Sequence, residues 1–214
     1  GFSSITIGSA TGTGALTFGD GAGAGTGHTF NDPVTLRSAT GAGTVTIDDA
    51  LATSTASDAI NLTAGLTITL NASGDLSTNA GQVRLHADAD NDADGAIVLN
   101  SGSSILSTGG AIVLGGGSDP TTDDAVGEGA NTAGIKLDNA VLNAGVGGAI
   151  SLRGTGAAGG IGIHIIGGAD LITTSTGAIT LNGTGITGVA IADNGTTITV
   201  VDGAVSITGT SNGA

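Results

Sequence analysis

Gly148-Ala-Ile-Ser-Leu152, Gly177-Ala-Ile-Thr-Leu181 and Gly110-Ala-Ile-Val-Leu114 are one phrase written three times. Each holds a glycine, a small residue, an aliphatic, a variable residue and a second aliphatic. Looser forms stand at Gly14-Ala-Leu-Thr-Phe18, Gly43-Thr-Val-Thr-Ile47, Gly81-Gln-Val-Arg-Leu85 and Gly203-Ala-Val-Ser-Ile207. Taken in order along the chain, the phrase returns at intervals of 29, 38, 29, 38, 29 and 26 residues. Apolar residues at alternate positions mark short strands with one face buried. A phrase that recurs at a coil-sized spacing marks a repeat architecture rather than a conventional globule.

Between successive phrases lie two further alternations. After Gly148 they are Ile161-Gly-Ile-His-Ile165 and Leu171-Ile-Thr-Thr-Ser175; after Gly110, Ile135-Lys-Leu137 and Val141-Leu-Asn143; after Gly81, Ile97-Val-Leu99 and Ile105-Leu-Ser107. Three strands of about five residues, joined at Gly, Asn, Asp, Ser or Thr corners, use about 29 residues. The pattern predicts an all-β parallel β-solenoid of about three strands per coil and roughly seven coils, each about 4.8 Å above the last. One segment spans 1–214, with a polar loop insert at 115–130 that lengthens the coil 110–147. The region 43–80 holds Ile60-Asn-Leu62, Leu66-Thr-Ile68 and Leu76, more strands than one coil needs, and reads as one long coil or two short ones. Residues Thr17, Thr46, Arg84, Val98, Ser151, Thr180 and Ser206 fall at outward positions. An antiparallel sandwich, the rival fold, does not require the phrase to return at coil spacing.

Composition agrees. The chain has 214 residues, 42 of them Gly, with no Cys, Met, Trp or Tyr. Ile, Leu, Val and Phe make up about a quarter of it, just above the roughly 20% below which a charged chain stays disordered. A thin aliphatic core is therefore available, whereas a glycine-rich helical bundle is disfavoured by about 1 kcal/mol per glycine. The net charge of −14 disfavours nucleic acid and anionic membrane as partners and suits cations. No apolar run approaches the ~20 residues of a membrane span.

The phrases above, together with Asp75-Leu-Ser-Thr78, Ser104-Ile-Leu-Ser-Thr108, Asp170-Leu-Ile-Thr-Thr174 and the absence of Cys, resemble filamentous-haemagglutinin-like bacterial adhesins and autotransporter-type β-helical passengers. The likeness is one of repeat style, clearest from 43 to 214. It implies a right-handed parallel β-helix acting as an extracellular stalk or fibre at the cell surface, and it carries no functional residues over.

The sharpest chemical motif is Asp88-Ala-Asp-Asn-Asp-Ala-Asp-Gly95. Carboxylates at alternate positions of a tight loop converge on a hard cation, so Asp88, Asp90, Asp92 and Asp94 are the candidate metal ligands and calcium the candidate ion. Ser101 occupies the twelfth position, where a helix–loop–helix site places Glu, and the flanks are strands. A second acidic stretch, Asp119, Asp123, Asp124 and Glu128, reads as part of a solvated loop. Two G-x-G-x-x-G matches (Gly154, Gly156, Gly159 and Gly183, Gly185, Gly188) precede strands rather than a helix and read as turns. His28, His86 and His164 share no ligand spacing, and the four basic residues read as outward positions near Asp. Asn61, Asn71, Asn182 and Asn194 open N-x-S/T sequons.

Three classes of function follow. The first is a non-enzymatic rod of a secreted surface adhesin or filament, with other copies of itself or a host or neighbouring-cell surface as partners. The opening Phe2, Ile5, Ile7 and the closing Ser206–Ala214 read as strand rather than cap, so continuation along the axis is expected. The second is a polysaccharide-active β-helix enzyme, for which the aromatic platforms are missing. The third is an ice- or glycan-binding face, suggested by Thr44/Thr46, Thr67/Thr69 and Thr197/Thr199. In matching coils that face is interrupted by Gln82/Arg84, Ala111/Val113 and Ala149/Ser151.

Overall fold

A computed structural model describes residues 2–20, 27–193 and 195–212, and these contain strands and no helix. The strands form three parallel sheets. Sheet A runs Ile5–Ser9, Val34–Ser38, Ile60–Ala64, Val83–His86, Ile112–Gly115, Ile150–Thr155, Ile179–Gly185 and Val205–Ser211. Sheet B runs Ala15–Phe18, Thr44–Ile47, Ile68–Leu70, Ile97–Leu99, Ile135–Asp138, Ile161–Ile166 and Thr187–Ile191. Sheet C runs His28–Phe30, Leu51–Thr53, Leu76–Thr78, Ser104–Ser107, Val141–Val146, Asp170–Thr174 and Thr197–Thr199. Each coil takes one strand from A, then B, then C. The result is a β-solenoid of seven coils, with the opening strand of an eighth.

The register explains the alternation. Ile5, Val34, Ile60, Val83, Ile112, Ile150, Ile179 and Val205 stand in one sheet A column, and Ile7, Leu36, Leu62, Leu85, Leu114, Leu152, Leu181 and Ile207 in the next inward one. Away from the two ends these side chains are completely or almost completely buried. They form one core cluster with their counterparts from sheets B and C. Buried aliphatic area is the main stabilising term, at about 25 cal/mol per Å².

Coils start at residues 5, 34, 60, 83, 112, 150, 179 and 205, so successive coils take 29, 26, 23, 29, 38, 29 and 26 residues. The region 43–80 is thus not one long coil. Gly43-Thr-Val-Thr-Ile47 lies in sheet B of the second coil, whereas Gly81-Gln-Val-Arg-Leu85 lies in sheet A of the fourth. A complete short coil sits between them. The two phrases look alike because both corners demand glycine: a Cβ on Gly43 would lie 2.1 Å from the Ser38 carbonyl oxygen, and one on Gly81 only 1.8 Å from that of Asp58. For the same reason Thr44/Thr46 and Thr67/Thr69 are matched in later coils by Ala96/Val98, Gly134/Lys136 and Gly162/His164. The threonine face is interrupted there by different residues than the phrase spacing suggests.

At the corner from sheet C to sheet A, coils approach closely. Cβ atoms on Gly110, Gly148, Gly177 and Gly203 would fall 2.0, 2.4, 1.9 and 1.8 Å from the carbonyl oxygen of the equivalent glycine one coil earlier. The inward hydroxyls of sheet C serve this corner. Thr53 donates to the Asp58 carbonyl (2.9 Å), Thr78 and Ser107 to that of Gly81 (2.6 and 2.9 Å), and Thr173 to that of Gly177 (2.8 Å). The inward hydroxyls of Thr53, Thr78, Ser107 and Thr173 are therefore buried corner ties, because a buried carbonyl without a partner costs about 1–3 kcal/mol.

Two further expectations need correction. Of the G-x-G-x-x-G glycines, Gly154, Gly183, Gly185 and Gly188 lie in strands rather than turns. Sheets A and B pinch together at these glycines: a Cβ on Gly183 would lie 2.0 Å from the Gly188 carbonyl oxygen, and one on Gly154 2.5 Å from that of Gly162. Val98, expected to face solvent, is 7% exposed. It lies at the base of a recess walled by the insert between Gly115 and Ile135. That insert also carries a two-residue strand, Ala125–Val126, paired with Gly154–Thr155. At the start of the chain Ile5 and Ile7 are in strand as expected, while Phe2 precedes it.

Gly177→Ala is expected to destabilise the fold by about 3 kcal/mol, because its methyl would collide with the Gly148 carbonyl. Gly14→Ala, where nothing lies within 4 Å of the added carbon, is expected to stay within about 0.5 kcal/mol of the parent. Denaturant midpoints of the two variants check the contrast.

Candidate functional site

The connections from sheet A to sheet B are short in most coils. They expand in the fourth coil (87–96) and the fifth (116–134), and both acidic stretches lie there. The first closes on itself. Asp88 Oδ1 accepts hydrogen bonds from the backbone N–H groups of Asp92 (2.9 Å) and Ala93 (3.2 Å), and the Asp88 carbonyl accepts from the Asn91 N–H (2.9 Å). Asp88, Asn91 and Ala93 adopt left-handed backbone angles, with φ of 50°, 58° and 72°. This fold gathers Asp88, Asp90 and Asp92, which offer one carboxylate oxygen each within 4.8 Å of one another. Asp94 stands beside this triangle, near the Asp92 carboxylate, with its Oδ1 buried and without a hydrogen-bond partner.

The electrostatics follow from crowding. Burial is the main cause that raises the Asp88 carboxyl to about 6, with the Asp92 and Asp90 charges adding to it against the two N–H bonds. Asp94 is also raised to about 6, by desolvation first and then by Asp92, Glu128 and Asp90. Three converging oxygens of this kind can supply part of the donor set of a hard divalent cation, which takes roughly six or more oxygens. Such an ion would offset the mutual repulsion.

The second stretch is not a detached loop. Gly95 and Val126 exchange backbone hydrogen bonds of 2.8 and 3.0 Å, which ties the two acidic segments together. Asp124 accepts from the Thr155 hydroxyl (2.8 Å) and lies 3.3 Å from Arg153 Nε. Glu128 accepts from the Thr67 hydroxyl of the third coil (2.9 Å), and Asp90 accepts from the Gly41 N–H of the second coil. Between the segments is a cavity of about 340 Å³ whose lining includes Asp88, Asp123, Asp124 and Arg153. The acidic corner thus fastens coils two to six from outside the core.

His86 belongs to this assembly, a role that spacing along the chain could not reveal. Its ring is 7% exposed, with Nε2 2.6 Å from the Gly117 carbonyl and Nδ1 3.3 Å from Arg84 Nη2. A carbonyl only accepts and a guanidinium only donates, so the neutral Nε2–H tautomer satisfies both. Burial holds the imidazole below its ordinary pKa. His164 points outward between buried Ile163 and Ile165, as expected, and His28 packs edge-on against Phe18 with centroids 5.5 Å apart. Among the sequon residues, Asn71 is bonded to Asp48 and Asn100, Asn182 faces Arg153, Asn61 lies on a sheet A strand, and Asn194 lies outside the described residues.

The fold and the corner define a class, a three-sided parallel β-solenoid with an external acidic fastening. No family model matches the chain, and neither the curated proteins nor the solved structures include a match.

The raised carboxyls make a signed prediction. A group whose folded pKa lies above its unfolded value weakens the fold as pH rises through the folded value, here from about 4 to about 6. The double variant Asp88→Asn, Asp94→Asn keeps the Asp88 acceptor oxygen and removes both charges. It is expected to melt higher than the parent at pH 7, with the gap closing towards pH 4. Melting curves across that range check it, and the comparison cancels the opposite contribution of His86.

Proposed function

We propose that this chain is a non-enzymatic structural segment of a secreted bacterial surface adhesin or filament, working as a stiff extracellular rod. The observation that carries the reading is the unbroken register of the sheet A columns from Ile5 to Val205 and from Ile7 to Ile207. Seven coils at one strand spacing add about 34 Å of axis, and a core of this kind extends by adding coils rather than by thickening. Both end coils leave core columns open: Ile7 is 39% exposed, Val205 44% and Ile207 47%. Those faces and their unpaired strand edges suit a further coil, supplied by more chain or by a second copy. Host or neighbouring-cell surfaces are the partners such a rod would reach.

The acidic corner fits this role as a place where a hard extracellular cation would reinforce the rod, with Asp88, Asp90 and Asp92 as ligands and Asp94 next to them. Negative-stain images with and without calcium test both parts. Rods or end-to-end filaments are expected, whereas compact monomeric particles at every concentration would refute polymerisation. Millimolar calcium at pH 7 is expected to raise the melting temperature, and Asp90→Asn to abolish that rise. An equal response in the variant would remove the cation from the proposal and leave the rod standing.

A further inference from the structure

The insert ends in a hairpin tip that turns the flat outer face of sheet B into a recess. Glu128 and Asn131 exchange backbone hydrogen bonds of 2.7 Å in both directions around Gly129-Ala130. Residues 130–133 then wall off a space of about 300 Å³ over the sheet. Its base is one outward column, Val98, Lys136 and His164, adjacent in the parallel register, and Asn100 and Thr132 are at its rim.

The chemistry of this recess is unlike the rest of a chain with net charge −14. Lys136 Nζ lies 3.0 Å from Asp138 Oδ2, a bond that occupies one of its three donors. Lys136 and the partly covered His164 ring stand side by side with Asp138 as their nearby carboxylate. Asn100 spends its N–H₂ on Asn71 (2.9 Å) and keeps its oxygen as an acceptor. The donors that remain on Lys136 and His164 match a carboxylate. The amides of Asn100 and Asn131 and the Thr132 hydroxyl match sugar-type hydroxyls, and Val98 offers an apolar patch for a ring face.

We propose that this recess binds a hydroxylated carboxylate of about the size of one hexuronate, its carboxylate held by Lys136 and His164. The site is independent of the rod reading and of the acidic corner. Burial and the Lys136 charge hold the His164 imidazole below its ordinary pKa, with Asp138 opposing them. A bound carboxylate reverses that balance and draws a proton onto the ring.

The experiment is an NMR titration of the His164 imidazole in the whole chain with D-glucuronate, with D-glucose as the uncharged control. The expected results are saturable shifts at His164, a rise in its pKa with glucuronate alone, and affinity about tenfold weaker at pH 8 than at pH 5.5. Lys136→Met is expected to abolish the response. Its fold is monitored by melting temperature, and Thr132→Ala, at the exposed rim, gives a second variant that should weaken binding without touching the coil. No saturable shift at His164, or equal responses to glucose and glucuronate, would overturn the proposal. So would binding that survives Lys136→Met unchanged.

Discussion

Every coil of this protein lies directly on the one before, at the distance set by a parallel strand pair, and that contact is recurrently tight at the corner from sheet C to sheet A. From Gly110 onward a glycine backbone there rests against the carbonyl of its counterpart one coil earlier, closer than any side chain permits. The other columns run in step with this contact. The inward Thr or Ser of sheet C meets a corner carbonyl, the aliphatic columns of sheet A start at a fixed offset, and the strand ladders stay in register over the described length. The aliphatic core supplies the stabilisation, and the repeated absence of bulk at this edge lets the coils come close enough to form it.

Much of this was legible in the sequence, because period-two alternation and coil-sized recurrence are direct images of strand and stack. Ile163 and Ile165 inward with His164 outward followed from alternation alone. The phase of the repeat was harder. Gly43 and Gly81 open near-identical phrases in different sheets, and the strand Val34–Ser38 follows Pro33 rather than a glycine phrase. The third coil was therefore hidden within an apparent interval of 38 residues. Local pattern reports that a corner is crowded; which corner it is depends on what lies beneath.

The acidic corner shows the same limit more sharply. The spacing of Asp88, Asp90 and Asp92 announced a convergent loop, and they converge. The contacts that give the loop its reach do not: Asp90 to Gly41, Glu128 to Thr67, His86 to Gly117, Gly95 to Val126. Each joins residues from different coils, so each becomes visible only after the coils are counted correctly. Asp88, read in the sequence as one candidate ligand among four, is also 2% exposed and holds the loop shut.

Connection length is distributed unevenly around the rod. From sheet C to sheet A the chain allows itself between three and six residues, whereas from sheet A to sheet B it ranges from the single Ile186 to the nineteen of 116–134. One seam keeps its connections short and the seam next to it admits long ones. Foreign peptides grafted along the open seam would line up at strand-spacing intervals on a stiff support, like teeth on a comb.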